Sequence, residues 1–179
     1  MNEQIKHKIR HNVNRGITSV KWIVFSILSG IIVGFCGTAF YFGMSLVTVL
    51  RMQNPWLIYF LPVGGLAIVA LYRMLHSEKD TGTNLVLSAI HSDDELPFRV
   101  APLIFISTLI THLFGGSAGR EGAALQMGGS IGNTLGKLFG FDDKDKHIMI
   151  MCGMSAAFSA LFGTPMAAAI FPMEVVSVG

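Results

Sequence analysis

Residues 115–132 read GGSAGREGAALQMGGSIG, and this glycine-rich stretch decides how the rest of the chain is interpreted. We expect its first residues to end one helix and the residues that follow to begin another. The N-terminus of a helix carries a partial positive charge and unpaired N–H groups, so in a dry cavity it binds anions. Glu121 lies at this predicted N-terminus, where its carboxylate can occupy the place of a free anion and leave it when protonated. One residue can therefore gate an anion and carry a proton.

A simpler interpretation of Glu121 is a surface carboxylate that pairs with Arg120 where a helix starts at the membrane interface. Ionisable side chains between apolar segments are costly in lipid and are functional hypotheses by default. That cost favours the gating role, and the pairing with Arg120 remains the alternative.

Downstream of this carboxylate, glycine recurs every four residues, at Gly128, Gly132 and Gly136. Residues at this spacing share one face of a helix, and a face of small residues lets another helix approach closely. We also expect the side-chain amides of Gln126 and Asn133 to form hydrogen bonds between helices.

The composition of the 179-residue chain indicates a membrane protein. Hydrophobic residues make up 51% of the chain and charged residues only 13%, whereas about 25% are charged in a typical soluble domain. Residues 22–50 and 55–72 carry no charge, and a helix needs about 20 apolar residues to cross a bilayer. We therefore predict two crossings here. A soluble helical protein would show polar residues at helical spacing in these segments, and they are absent.

Basic residues precede the first uncharged segment, and the positive-inside rule therefore predicts a cytoplasmic N-terminus. We expect residues 1–21 to form a basic cytoplasmic segment and residues 22–179 a multi-pass domain in a bacterial plasma membrane. No long basic run follows, so we do not expect nucleic acid as a partner. The basic residues are Lys6, Lys8, Arg10, Arg15 and Lys21.

The later apolar segments are short or interrupted. Residues 81–90 are too few to span, and the segment 148–173 is broken by Gly163, Thr164 and Pro165. Because proline removes a helical hydrogen bond, we predict two short helices in place of one long one. Short, glycine- or proline-interrupted hydrophobic segments are typical of binding sites in transporters.

Two stretches resemble the CLC superfamily of chloride channels and proton-coupled anion antiporters. Residues 119–122, GREG, are similar to the family's GREGP signature, and residues 155–174 resemble its second small-residue segment. The resemblance implies an all-α membrane fold, the first inverted repeat of such a transporter, with tilted, short and broken helices. It implies that Glu121 is the gating carboxylate, at a helix start that points at the central anion. It also assigns anion binding to Gly119, Arg120, Gly122 and Ala123.

This chain departs from the family pattern in three places. Ala123 stands where the family has proline, and residues 80–84 read DTGTN where the family has its GSGIP anion loop. Thr81 would take the place of the anion-coordinating serine beside Gly82. The alternative for this segment is an ordinary helix N-cap by Thr81 or Thr83.

The third departure is Val175, which follows Glu174 where the resemblance implies a proton-relaying acid. The loss of the GSGIP loop and of the proline after GREG, together with the residues that flank GREG, resembles the fluoride/proton antiporter branch, with chloride as the rival anion. His112 is either a proton relay or, more commonly for a membrane histidine, a hydrogen-bonding partner of a neighbouring helix. Cys36 and Cys152 are expected to be small buried hydrophobes, and we predict no metal site, no cofactor and no enzyme activity.

The resemblance covers only the N-terminal half of the family's membrane domain. We therefore expect a halide anion, protons and the lipid bilayer as partners, together with a separate second half or a second copy in a homodimer. Three alternatives stay open at this point. The chain is the front part of a transporter, a half-size transporter active as a dimer, or an assembly subunit or remnant that does not transport.

Overall fold

A computed structural model describes residues 2–77, 82–91, 96–142 and 145–178, and every regular element in these ranges is helical. The predicted all-α fold is therefore confirmed. The α-helices are α1 (Asn2–Gln53), α2 (Leu61–Met74), α3 (Thr83–His91), α4 (Val100–Leu113), α5 (Arg120–Leu138), α6 (Lys146–Phe162) and α7 (Pro165–Val178), and a 3₁₀ helix over Pro55–Phe60 leads into α2.

The first helix is longer than the uncharged segment that predicted it. α1 runs without a break for 52 residues, so the basic residues and the apolar span belong to one helix. The segments Thr18–Gln53 and Pro55–Met74 are long and apolar enough to cross a membrane. α1 continues through residue 21 without a break, so the helix itself does not mark a boundary there. The predicted domain boundary at this residue stays a prediction.

Large apolar side chains cover the outer surfaces of α1 and α2. Phe35 is 76% exposed and Leu66 is 71% exposed, which would be unusual for a soluble domain and suits contact with lipid. Gly30 and Gly34 of α1 also face open space, since a Cβ added at either would meet no atom within 4 Å. A side chain at either position would therefore meet no steric obstacle from the described residues.

α5 lies at the centre of the packed helices. Every residue from Ala123 to Asn133 is buried, whereas Gly119, Arg120 and Glu121 at its beginning are exposed. The helix is thus held along its length and open at its N-terminus.

Glycine allows α5 and α6 to pack at backbone contact distance. A Cβ on Gly132 would lie 2.5 Å from the carbonyl oxygen of Met149, and one on Gly136 would overlap the Met149 side chain. Gly128 and Gly153 face each other in the same interface. The structure thus places the three glycines at four-residue spacing on the face of α5 that contacts α6.

The last apolar segment is broken where the sequence predicts it. α6 ends at Phe162, and Gly163 follows in the left-handed conformation at φ 67°. Pro165 is the first residue of α7, a position where its missing N–H costs nothing.

Candidate functional site

The connection between α4 and α5 leads to the predicted anion site, and its first turn is a Schellman motif. The Gly115 N–H donates to the His112 carbonyl at 3.1 Å, and the Gly116 N–H donates to the Thr111 carbonyl at 2.8 Å. Gly115 has a φ of +81°, which glycine adopts without a steric penalty. The glycine run therefore ends α4 and satisfies its last carbonyl groups.

Two contacts with other helices hold this connection in place. The guanidinium of Arg51, at the C-terminal end of α1, lies directly against Gly115: a Cβ there would be 2.8 Å from Arg51 Cζ. Phe114 packs against Gly64 of α2, where a Cβ would lie 2.5 Å from the Phe114 ring. The loop that precedes Glu121 is thus fixed against both predicted membrane spans.

The start of α5 has the arrangement that the sequence predicts. Gly119 is the N-cap, in an extended conformation without a side-chain cap, and Glu121 is the acidic residue of the first turn. The Ala123 N–H donates to the Gly119 carbonyl at 3.3 Å, so the N–H groups before Ala123 have no partner within the helix. A carboxylate in this turn is favoured by the helix dipole. Arg120 and Glu121 are both exposed.

A second helix begins beside this one. Gly82 has a φ of +69°, and α3 starts at the next residue, Thr83. A Cβ on Gly122 would lie 2.8 Å from Thr83 Oγ1, so only glycine allows this approach. Two helix N-termini, each with a partial positive charge, therefore meet at one place. Thr81, the predicted anion-coordinating residue, lies outside the described residues.

A buried amide joins the two helix starts. Gln126 Nε2 donates to Thr83 Oγ1 at 3.3 Å, and Gln126 is only 7% exposed. Asn133, two turns further along the same face of α5, donates from Nδ2 to the Leu96 carbonyl at 2.8 Å. Gln126 thus makes the interhelical hydrogen bond expected of it, whereas the partner of Asn133 lies in the segment before α4. The pairing of Gln126 with Thr83 gives no sequence signal, because 43 residues separate them.

The other candidate residues lie apart from this junction or have local partners. His112 Nδ1 hydrogen-bonds the Thr108 carbonyl of its own helix at 2.9 Å, and both the bond to a neighbouring helix and the relay role stay predictions. Glu174 is exposed on α7 and Val175 beside it is partly buried. Cys36 and Cys152 are free and half-buried. The described residues hold no group of three or more His, Cys, Asp or Glu side chains that could bind a metal.

Comparison with known proteins identifies the class to which this fold and site belong. The sequence model described as "Voltage gated chloride channel" matches residues 64–179. A chloride/fluoride channel protein of Pseudomonas syringae pv. tomato is 37% identical over 160 residues, 89% of this chain and 35% of the relative. The H(+)/Cl(-) exchange transporter ClcA of Cronobacter sakazakii is 28% identical over 181 residues, 93% of this chain and 39% of the relative.

A solved structure supports the same assignment. The crystal structure of a CLC-type fluoride/proton antiporter superposes with a TM-score of 0.77 at 37% identity, covering 85% of this chain and 39% of that one. The chain belongs to the voltage-gated chloride channel (CLC) family, whose members are membrane proteins. It spans less than two fifths of the length of each of these relatives, as expected for the N-terminal half that the sequence predicts.

Proposed function

We propose that this chain forms the N-terminal half of the anion pathway of a fluoride/proton antiporter, with Glu121 as the gating carboxylate. The observation that carries the proposal is the position of Glu121: exposed, in the first turn of α5, where a second helix N-terminus abuts. An anion or a carboxylate is stabilised at such a place by the same N–H groups and the same partial charges.

The proposed cycle follows from competition for this position. The ionised Glu121 carboxylate occupies the helix N-termini and excludes the halide. Protonation removes its charge, so the neutral side chain leaves and a halide takes the place. Gly119 and Gly122 supply backbone N–H groups on the α5 side, with Thr81 and Gly82 on the α3 side, and the Arg120 guanidinium adds positive charge. Ala123 borders the anion, with its own N–H bonded to the Gly119 carbonyl. The entry of the halide is thus coupled to the binding of a proton by Glu121.

Fluoride is the proposed substrate and chloride the second candidate. Ala123 replaces the family's proline and residues 80–84 lack its GSGIP loop. Of the relatives compared, the two whose names include fluoride are each 37% identical to this chain, against 28% for the H(+)/Cl(-) exchanger. With valine at position 175 the proposed proton path does not use a second internal acid there.

We further propose that the site is completed by a second repeat, supplied by a C-terminal half or by a second copy in a homodimer. The exposed start of α5 would place polar helix ends in lipid at considerable cost unless protein covers it. The alternative, a subunit without transport activity, predicts no halide flux. We assign the N-terminus to the cytoplasmic side of a bacterial plasma membrane on the basic residues before residue 22.

Halide efflux from liposomes that contain the purified chain tests the proposal, with fluoride, chloride and pH electrodes read together. We expect fluoride efflux above empty liposomes, with proton movement in the opposite direction. Glu121→Gln should retain halide flux and lose proton movement, because the amide cannot exchange a proton. Proton movement that persists in Glu121→Gln would remove the gating assignment. Efflux from this chain alone would mean that a second copy supplies the second repeat, whereas a lack of efflux from inserted protein would mean that the C-terminal half is needed. A lack of efflux when that half is also present would favour the subunit without activity.

A further inference from the structure

The junction of α3 and α5 contains a buried amide that uses only one of its two polar atoms. Gln126 Nε2 donates to Thr83 Oγ1, but Gln126 Oε1 is buried and has no hydrogen-bond partner among the described residues. With 7% of the residue exposed, water has little access to it. Buried polar atoms nearly always have a partner in native proteins, and an exception needs an explanation.

The position of this amide points to the site. Side chains of a helix lean toward its N-terminus, so Gln126 reaches back over the turn that contains Gly122. Thr83 lies against Gly122 from the other side. A Cβ on Gly82, the residue before α3, would be 4.0 Å from Gln126 Nε2. The half-paired amide therefore lies between the two helix N-termini.

Turning the amide over makes it a donor to an anion. An amide presents an acceptor and a donor in nearly the same shape, and its orientation follows its hydrogen bonds. After a half-turn the Gln126 carbonyl accepts from the Thr83 hydroxyl, and the NH₂ group takes the place that is unpaired now. Both polar atoms of the Gln126 amide then have hydrogen-bond partners, provided that an acceptor lies opposite the NH₂ group.

We propose that Gln126 contacts the transported halide through its side-chain NH₂ group, and that Thr83 is the positioning residue that orients the amide. This inference rests on the proposed function and adds a side-chain donor to the backbone groups already named. Fluoride, as the smallest halide, approaches a donor most closely, and the attraction grows as the distance falls. The amide should therefore favour fluoride over chloride.

Isothermal titration of the purified full chain in detergent with sodium fluoride and sodium chloride tests this role. Gln126→Met keeps the size of the side chain and removes the donor. We expect its fluoride Kd to rise about tenfold, as for loss of one hydrogen bond to a charged group, with a smaller change for chloride. Thr83→Val should shift the fluoride Kd in the same direction, and Thr83→Ser should restore it.

Asn133→Leu is the matched control, because Asn133 is also a buried, half-paired amide on α5 but bonds Leu96 and not the junction. It should leave both halide Kd values unchanged. A Gln126→Met chain that binds fluoride within about twofold of the wild type overturns the inference and leaves the proposed function intact. If Gln126→Met loses affinity for fluoride and chloride equally and melts at a lower temperature than Asn133→Leu, the role of Gln126 is structural. That result also overturns the inference. A wild-type chain that binds no halide overturns the inference, whereas the proposed function is decided by the efflux measurement.

Discussion

Gly128 and Gly153 contact each other backbone to backbone, so that α5 and α6 touch there with no side chain between them. A Cβ added to either residue would overlap the carbonyl group of the other. A Cβ added at this contact would come closer to the backbone of the facing helix than one added at Gly132, which makes the interface sensitive to a single methyl group.

Gly128→Ala should destabilise the fold because its methyl group has no space beside Gly153 and Ala157. Overpacking of this kind costs about 1–3 kcal/mol, which we expect as a lower melting temperature in detergent. Gly65→Ala is the control, since a Cβ there meets nothing within 4 Å and alanine favours the helix. Equal melting temperatures for the two variants would contradict the close contact.

Gly115→Ala should destabilise for two reasons that a second substitution separates. Its φ of +81° disfavours a side chain, and the methyl group would overlap Arg51. The backbone part costs about 1 kcal/mol and should remain when Arg51 is replaced by alanine, whereas the overlap should disappear. A double-mutant cycle on melting temperature or denaturant unfolding measures the difference. If the losses of stability from Gly115→Ala and Arg51→Ala simply add in the double variant, the guanidinium does not crowd this turn.

Gly163→Ala isolates the backbone cost alone. Gly163 has a φ of 67° and a Cβ there would meet nothing within 4 Å, so the penalty comes from the left-handed conformation. We expect a loss of about 1 kcal/mol in stability. Gly163→Asn should lose less, because asparagine tolerates this conformation better than other side chains. The same unfolding measurement compares them, and an asparagine variant that is no better than alanine would refute the explanation.

Lys21→Met should loosen the attachment of α1 to the turn after α5. Lys21 Nζ donates to the Gly140 carbonyl at 2.9 Å and lies 4.1 Å from the centre of the Phe141 ring. Because the lysine is partly exposed, the combined loss should be about 1 kcal/mol. Lys21→Arg keeps the charge and a donor and should retain most of it. Limited proteolysis in the 139–145 segment, faster in Lys21→Met, gives the readout, and unchanged cleavage would show that the aromatic contacts with Trp22 suffice.

The sequence predicts best those features that depend on neighbours along the chain. Pro165 and Gly163 mark the break between α6 and α7 because each alters its own backbone. The start of α5 at Arg120 follows from the glycine run before it. Both are local effects of residue type.

The sequence predicts least well those features set by long-range contacts. Charge gaps suggested a helix from residue 22, yet α1 begins at Asn2, because charge marks where lipid begins and not where helical hydrogen bonding begins. His112 bonds its own helix because the Thr108 carbonyl lies one turn back on that helix, within reach whichever helix packs beside it. The approach of Thr83 to Gly122 depends on how α3 packs, which no local pattern encodes.

The glycine faces of α5 also constrain the mechanics of the cycle. Rotating α5 by one residue, about 100°, would bring the side chain of Met127 or Ile131 against backbone that now tolerates only hydrogen atoms. Sliding or tilting the helix meets the same obstacle, so α5 stays fixed relative to α6. In the proposed cycle, the moving group at this site is then the exposed Glu121 side chain, whose rotamers exchange on the picosecond to nanosecond scale. Ion dehydration, and not a movement of α5, should accordingly limit turnover in that cycle, and turnover should depend weakly on membrane viscosity.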